Sequence, residues 1–294
     1  MNELKKYIDL QIKFNQGKNL FYKDYIRIMK FTQSTFDAIQ RLNMITKEDL
    51  SLLIDYTTEM VLQELYRINQ YYTFSEKDIN ELKNIYWNLY QSIVENEIPI
   101  DIIPKNHYEN LKNWLEKTNS FSNIIYKQNE ATLEAVVCSE YNIDLQKDIL
   151  CLNKVQLVNP ILDIGCGKNG NLVKNLLEEG FDAHGIDRVS NNLSYIEKAD
   201  WLKYDYGTKK WGTIISNLGF SNHFIHHHLR KDGNIIEYAK KYIDILKSLK
   251  TGGIFCYAPD LPFIEMYLDE EAFLITKYNI KSISSKTTII TKLD

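Results

Sequence analysis

The stretch that most constrains the fold runs from Asn159 to Arg188, NPILDIGCGKNGNLVKNLLEEGFDAHGIDR. It reads as strand, glycine turn, helix, strand and acid. Pro160 opens a short apolar strand, Ile161 to Ile164, with Asp163 near its carboxyl end. Gly165, Gly167 and Gly170 form the turn. Leu172, Val173, Leu176 and Leu177 then fall at helical spacing, and Gly180 follows as a C-cap. A second strand, Phe181 to Ile186, ends on Asp187. Glycines at such a turn let backbone approach a ligand closely, and the helix start behind them favours negative or polar ligand groups. A carboxylate placed like Asp187 can accept hydrogen bonds from both hydroxyls of a ribose.

Gly165-x-Gly167-x-x-Gly170 by itself also fits a dinucleotide fingerprint, or a βαβ turn that holds nothing. Asp163 separates these readings. An acid two residues before the first glycine is unhelpful beside a pyrophosphate and useful beside the ammonium of an amino-acid moiety. DxGxG on a strand, with an acid closing the next strand, resembles motifs I and II of class I S-adenosylmethionine (SAM)-dependent methyltransferases. That resemblance implies SAM as cofactor, with Asp163, Gly165 and Gly167 holding its methionine part and Asp187 its ribose.

Composition bounds the rest. At 294 residues the chain has room for one large domain or two modest ones with real cores. Hydrophobic content of 44% and charged content of 25% suit a soluble globular protein. A net charge of −4 without a long basic run argues against a nucleic-acid substrate and for a small molecule. Cys138, Cys151, Cys166 and Cys256 lack metal-ligand spacing and sit in apolar surroundings, so reduced thiols in a cytoplasmic protein are the simplest reading. MNELKKYIDL reads as an amphipathic helix and not a signal peptide, and no apolar run is long enough to cross a bilayer. The sequence does not set the oligomeric state. Of the 20 tyrosines, several fall at helical core spacing, Tyr86 among them.

Residues 1–120 are predicted to form a helical amino-terminal domain, and Gly17 is its one glycine. Thr46 with Asp49 reads as a capping box, followed by Leu50, Leu53, Ile54, Thr57, Val61, Leu65 and Ile68 on one face. Ser75 with Asp78 repeats the device before Ile79, Leu82, Tyr86, Leu89 and Ile93. A shorter helix is expected near His107 to Lys117. The domain carries no chemical motif, so it reads as a scaffold or, more pointedly, a lid or substrate cap. Asn119 to Asn123 is a polar break, and residues 121–294 are assigned to the methyltransferase-like domain. Thr132 to Leu152 reads as helical, with a break at Asn142 to Asp144 that can divide it, and the resemblance places Ser139, Glu140 and Tyr141 toward the cofactor or simply over the sheet.

After Asp187 the chain departs from the family pattern. About ten residues separate it from a strand near Tyr195 to Ala199, so the usual intervening helix is truncated or missing. The resemblance implies that Asp200 meets the adenine amino group, with Trp201 covering the ring; Asp205 competes with Asp200. Trp211 to Asn217 is the fourth strand, and Ser216 and Asn217 close it at the edge of the glycine turn, where α/β sheets gather ligand groups.

SNHFIHHHLRKDG follows, with four of the six histidines. On a helix His223, His226 and His227 share one face. Three readings stay open. A neutral imidazole at His223 or His226 can take a proton beside the methyl acceptor; the histidines can simply cap and face solvent; or His223 and His227 can supply two metal ligands. No HExxH signature is present, and no metal is assigned. Ile235 to Leu249 is predicted as a helix with Ile236, Ala239, Tyr242, Ile243, Leu246 and Leu249 inward. Ile254 to Ala258 is the fifth strand, a helix over Pro262 to Asp269 follows, and Phe273 to Ile280 and Thr287 to Lys292 match the family's closing antiparallel pair. The expected fold is a seven-stranded, mostly parallel Rossmann-like sheet after a helical domain. Its expected function is SAM-dependent methyl transfer to a small-molecule N or O atom. Alternatives are a SAM- or nucleotide-binding regulatory protein and an NAD-dependent dehydrogenase.

Overall fold

A computed structural model describes residues 1–39, 45–94, 99–122, 126, 128–133, 141–280 and 285–294. The chain divides into two units, Met1–Val136 and Val137–Asp294. Cys138, Ser139, Glu140 and Asn123 lie outside the described residues.

In the first unit the described helices are α1 (Asn2–Asn15), α2 (Tyr25–Ile28), α3 (Gln33–Ile39), α4 (Lys47–Ile68), α5 (Glu76–Val94) and α6 (Ile103–Thr118). Both expected caps form. Thr46 Oγ1 accepts from the Asp49 N–H at 3.1 Å, and Ser75 and Asp78 cap each other reciprocally at 2.8 and 3.2 Å. The core is unusually aromatic: Tyr72, Tyr86, Tyr108, Trp114, Phe121 and Tyr126 are all buried in one cluster. Trp114 stacks on Phe74 and donates its indole N–H to the Asp78 carbonyl at 3.0 Å.

The expected break at Asn119 belongs inside this unit. Asn119 is buried and pairs through its amide with both the N–H and the carbonyl of Thr73. Phe121 and Tyr126 fill the helical core, and Leu133 N–H bonds to the Gly17 carbonyl. The division therefore falls later than position 120. Polar residues had marked a capped helix end, and the apolar ones after it show where the chain goes.

The first described helix of the second unit is α7 (Ile143–Ile149), capped by Asn142 at the expected break, and a 3₁₀ turn at Leu152–Lys154 follows; residues 134–140 of the predicted helix lie outside the described residues. The sheet strands are β1 (Ile161–Ile164), β2 (Ala183–Asp187), β3 (Ile196–Lys198), β4 (Trp211–Asn217), β5 (Leu249–Ala258), β6 (Phe273–Asn279) and β7 (Lys286–Lys292). Their order is β3-β2-β1-β4-β5-β7-β6, with only β7 antiparallel to its neighbours. This is the expected seven-stranded, mostly parallel sheet. Helix α8 (Asn171–Glu178) links β1 to β2, while β2 passes to β3 with no helix between them. Helices α9 (Phe220–Leu229) and α10 (Ile235–Ser248) link β4 to β5, and α11 (Pro262–Glu265) is a single turn.

Alternation along the strands builds two cores. Leu162, Ile164 and Ile214 pack with Phe220, Phe224, Tyr238 and Tyr242 on the α9–α10 face. Ile161 and Ile215 pack with Leu172, Val173 and Leu176 of α8 on the other. The closing strands are pinned by buried Glu265, whose Oε1 accepts from the Tyr257 hydroxyl, the Thr288 hydroxyl and the Leu261 N–H. Lys277 completes the pairing at 2.5 Å from Oε2. The inward face of α10 is as expected at Tyr242 and Leu246, with Ala239 and Ile243 packed against the core, and differs at Ile236 and Tyr238. Tyr238, Tyr242, Ile245 and Leu246 are buried, whereas Ile236 is 65% exposed. Among the described residues no helix is long and apolar enough to cross a membrane.

Candidate functional site

The strand order reverses between β1 and β4, and ligands of open α/β sheets bind outside the carboxyl ends at such a point. Three elements converge there: the turn after β1, the acid ending β2, and the Ser216–Gly219 corner after β4.

The turn is built by backbone. Gly165 and Cys166 donate their N–H groups to the Ile186 carbonyl at 2.9 and 3.2 Å. Gly165 has φ +79°, a conformation that costs a side-chain-bearing residue about 1–2 kcal/mol. Gly167 N–H donates to Asp187 Oδ2 at 2.9 Å, and Val189 N–H donates to Oδ1 at 2.9 Å. A carboxylate offers about four lone-pair sites, so Asp187 keeps acceptor capacity beyond these two. Burial raises its pKa, with the two backbone N–H groups and Arg188 acting against the rise.

Asp163 is 2% exposed and its Oδ1 has no hydrogen-bond partner. Burial, and then the charge of Asp187, push its carboxyl up to about 8. Asn217 is 7% exposed, and neither its amide nitrogen nor its amide oxygen has a partner. Asp163 pairs in register with Ile215. By alternation Asn217, two residues on, rises from the same face of the sheet. Two buried polar side chains thus stand on one face of the carboxyl edge, with Asp163 Oδ1 and both amide atoms of Asn217 unpaired. Ser216 is the opposite case: its hydroxyl donates to the Ile164 carbonyl at 2.9 Å and accepts from the Phe220 N–H, which ties β4 to β1 and caps α9. The thiol of Cys166 is buried and pushed up by burial, which makes it inert.

Trp201 lies against this turn. A Cβ on Gly165 would stand 2.9 Å from its ring, and one on Gly219 would stand 3.7 Å away. Burial raises the pKa of the Tyr238 hydroxyl, and the Trp201 indole acts on that hydroxyl to lower it. Tyr238 Oη is in turn 3.4 Å from His223 Nδ1, and the His223 ring meets Trp201 edge-on at 4.8 Å. Tyr238 is the residue that sequence reading missed. Its signal is the Tyr238–Tyr242 i,i+4 pair, with Tyr242 on the expected inward face. Asp200 follows the end of β3 and is exposed, with Oδ1 accepting from the Leu202 N–H. Asp205 uses its own carboxylate to accept from the Gly207 N–H.

The four histidines of α9 part company. His223 is buried beside Trp201. His226 Nε2 lies 3.1 Å from an Arg230 guanidinium nitrogen. Because arginine only donates, that imidazole nitrogen is the acceptor. Burial, and then Arg230, push His226 down to about 4. His227 stacks on Tyr238 and accepts the Asn234 N–H at Nδ1, and His228 stacks on Phe263 at 3.9 Å. The expected common face of His223, His226 and His227 is therefore split between α10 and Arg230. Among the described residues, no group of three or more His, Cys, Asp or Glu side chains converges on a point.

No family model and no curated protein matches the chain. Among solved structures it is similar to a TehB-like SAM-dependent methyltransferase from Corynebacterium glutamicum, at 15% identity, over 51% of this chain and 88% of that one, with TM-score 0.37. A SAM-dependent methyltransferase from Clostridium acetobutylicum gives 15%, 53%, 93% and 0.37 for the same measures. The N-methyltransferase NodS from Bradyrhizobium japonicum gives 14%, 51%, 93% and 0.36.

Proposed function

We propose that the second unit binds SAM along the carboxyl edge of β1, β2 and β4 and transfers its methyl group to an N or O atom of a small molecule. One observation carries the reading: Asp163 and Asn217 are buried without partners for Oδ1 and for both amide atoms, beside a turn of positive-φ glycines. An unpaired buried polar group costs about 1–3 kcal/mol. Such a site suits a ligand that brings the missing donors and acceptors.

SAM's methionine end does so. Its ammonium suits Asp163, with Asp187 adding to the negative field, and its zwitterionic end suits an amide that both donates and accepts. The turn of Gly165 and Gly167 leaves room for close approach, the remaining lone pairs of Asp187 suit the ribose hydroxyls, and Asp200 and Trp201 suit the adenine. When bound, SAM supplies a methyl carbon already activated by its sulfonium. The protein's task is then to orient the acceptor and exclude water. We assign His223 as a positioning residue that, with Tyr238, holds Trp201. The lone pair of His226 is engaged by Arg230, so the acceptor's proton leaves without help from His226. The net charge of −4 favours a small-molecule acceptor over nucleic acid.

Isothermal titration tests the reading. SAM and its demethylated product should bind, and Asp187→Ala should weaken both by about 1–3 kcal/mol. Binding of NADH with no heat from either sulfur nucleoside overturns it.

A further inference from the structure

We propose that the helical unit carries a binding site of its own, for a lipophilic small molecule bearing one hydrogen-bonding group, read by His107. The inference stands on Met1–Val136 alone and does not depend on the SAM reading.

A cavity of about 260 Å³ opens among α1, α4, α5 and α6, walled by side chains such as Ile8, Leu53, Ile54, Val61, Leu89 and Trp114. Protein interiors hold few voids larger than a water molecule, and a void among aliphatic and aromatic walls is both costly and dry. Cavities of about 150 Å³ with similar walls take up benzene or xenon. This one is larger, so its fitting occupant is an apolar molecule of two fused or linked rings or a short chain.

Most of the polar groups in the walls are occupied. Tyr108 Oη accepts from Asn15 and Gln11 at 2.5 and 3.3 Å. Gln11 Oε1 accepts from Thr32 N–H and the Thr35 hydroxyl. Lys18 Nζ donates to Asn15 Oδ1 and the Ile28 carbonyl, Glu64 holds Arg67, and Thr57 donates to the Leu53 carbonyl. His107, which also lines the cavity, is different. It is 6% exposed, and its Nδ1 has no hydrogen-bond partner. Its ring is fixed among Phe31, Tyr86 and Tyr108 at 5.2–5.9 Å between centroids. The helical fold makes no hydrogen bond with that Nδ1. An imidazole adds one polar contact in an apolar chamber. That is the usual composition of a small-molecule site: apolar walls with a few placed polar groups.

The test uses the full chain and N-phenyl-1-naphthylamine, whose emission rises on apolar burial. Saturable binding at one molecule per chain is expected, with displacement by 1-naphthol about 2- to 10-fold tighter than by naphthalene, the usual worth of one hydrogen bond. Ala38→Leu and Val61→Phe fill the cavity from two sides. Each should lower affinity for the probe at least about ten-fold in a chain that still melts cooperatively. His107→Phe should keep the probe and erase the preference for naphthol over naphthalene. A wild-type titration that is absent or fails to saturate overturns the site, whichever variants fold. Unchanged affinity in either filled variant places the probe elsewhere and also overturns it. A naphthol preference that survives His107→Phe removes His107 as the reader.

Discussion

Burial and the neighbouring Asp187 push the Asp163 carboxyl up to about 8, so at pH 7 the folded protein without ligand holds a proton there. An ammonium brought beside it favours the carboxylate and drives that proton out. SAM binding is therefore expected to release about one proton at pH 7, with affinity rising by up to about ten-fold per pH unit from 6 to 8. Titrations in buffers of different ionisation heat read this directly. Asp163→Asn should abolish the release; the same release in that variant would place the titrating group elsewhere. The histidines divide at the same scale. His226→Ala should leave methyl transfer within about two-fold, because Arg230 engages its lone pair. His223→Ala should weaken SAM binding instead, since it loosens the Tyr238–Trp201 pair. If His226→Ala lowers turnover by the 10²–10⁴-fold typical of a lost general base, with SAM affinity intact, the assignment of roles is wrong.

At the level of elements, the β1 turn and Trp201 form one fitted piece. Gly165→Ala would place a methyl group 2.9 Å from the Trp201 ring, at a backbone angle of +79°. The variant should fold with a loss of about 1–2 kcal/mol from backbone strain and bind SAM more weakly. Its tryptophan emission should shift, as measured against Trp201→Phe; normal SAM affinity in Gly165→Ala would mean that Trp201 is not part of the site. Much of this piece was legible in the sequence. The short apolar run before three glycines had to be a strand, the acids at 163 and 187 fall at its edge, and a spacing of about ten residues after Asp187 correctly left no room for a helix before β3. Other features were not legible, for reasons that lie outside any local pattern. The division between units depends on Phe121 and Tyr126 joining a core built by residues far back in the chain. The buried face of α10 is set by the aromatic layer of α9, so Tyr238 turns inward and Ile236 outward against their periodicity as first read. The histidines look alike in sequence. Contacts to Trp201, Arg230, Asn234 and Phe263 give each a different environment.

Across the whole molecule His107 in the first unit and Asp163 in the second set opposite pH slopes, and His226, lowered by burial, pulls the second unit the same way as His107. His107, surrounded by Tyr86 and Tyr108, is pushed down to about 3 by burial. Both tyrosines are raised by burial and stay neutral over the range concerned. Below about pH 6.5 an unfolded histidine takes a proton that the folded one refuses. His107 therefore contributes full stability above that pH, and the contribution falls as pH drops toward 3. Asp163 runs the other way. The unfolded carboxyl ionises near 3.8, while the folded one, coupled to Asp187 and beside the neutral Cys166 thiol, keeps its proton to about 8. Stability from that group is greatest below the lower value and falls as pH rises through the window to 8. Each full window is worth on the order of a few kcal/mol. Native-state hydrogen exchange separates the two, because amides of α5 and α6 report one unit and those of β1 and β4 the other. With intrinsic exchange rates corrected, protection in α6 should fall from pH 7 to 4.5, while in β1 the gain from Asp163 is opposed by His226 and is read as the difference between the wild type and Asp163→Asn. His107→Leu should flatten only the first trend and Asp163→Asn only the second. An Asp163→Asn variant with the wild-type slope in β1, or a His107 variant that still loses α6 protection in acid, would show that the buried group concerned does not govern the pH response.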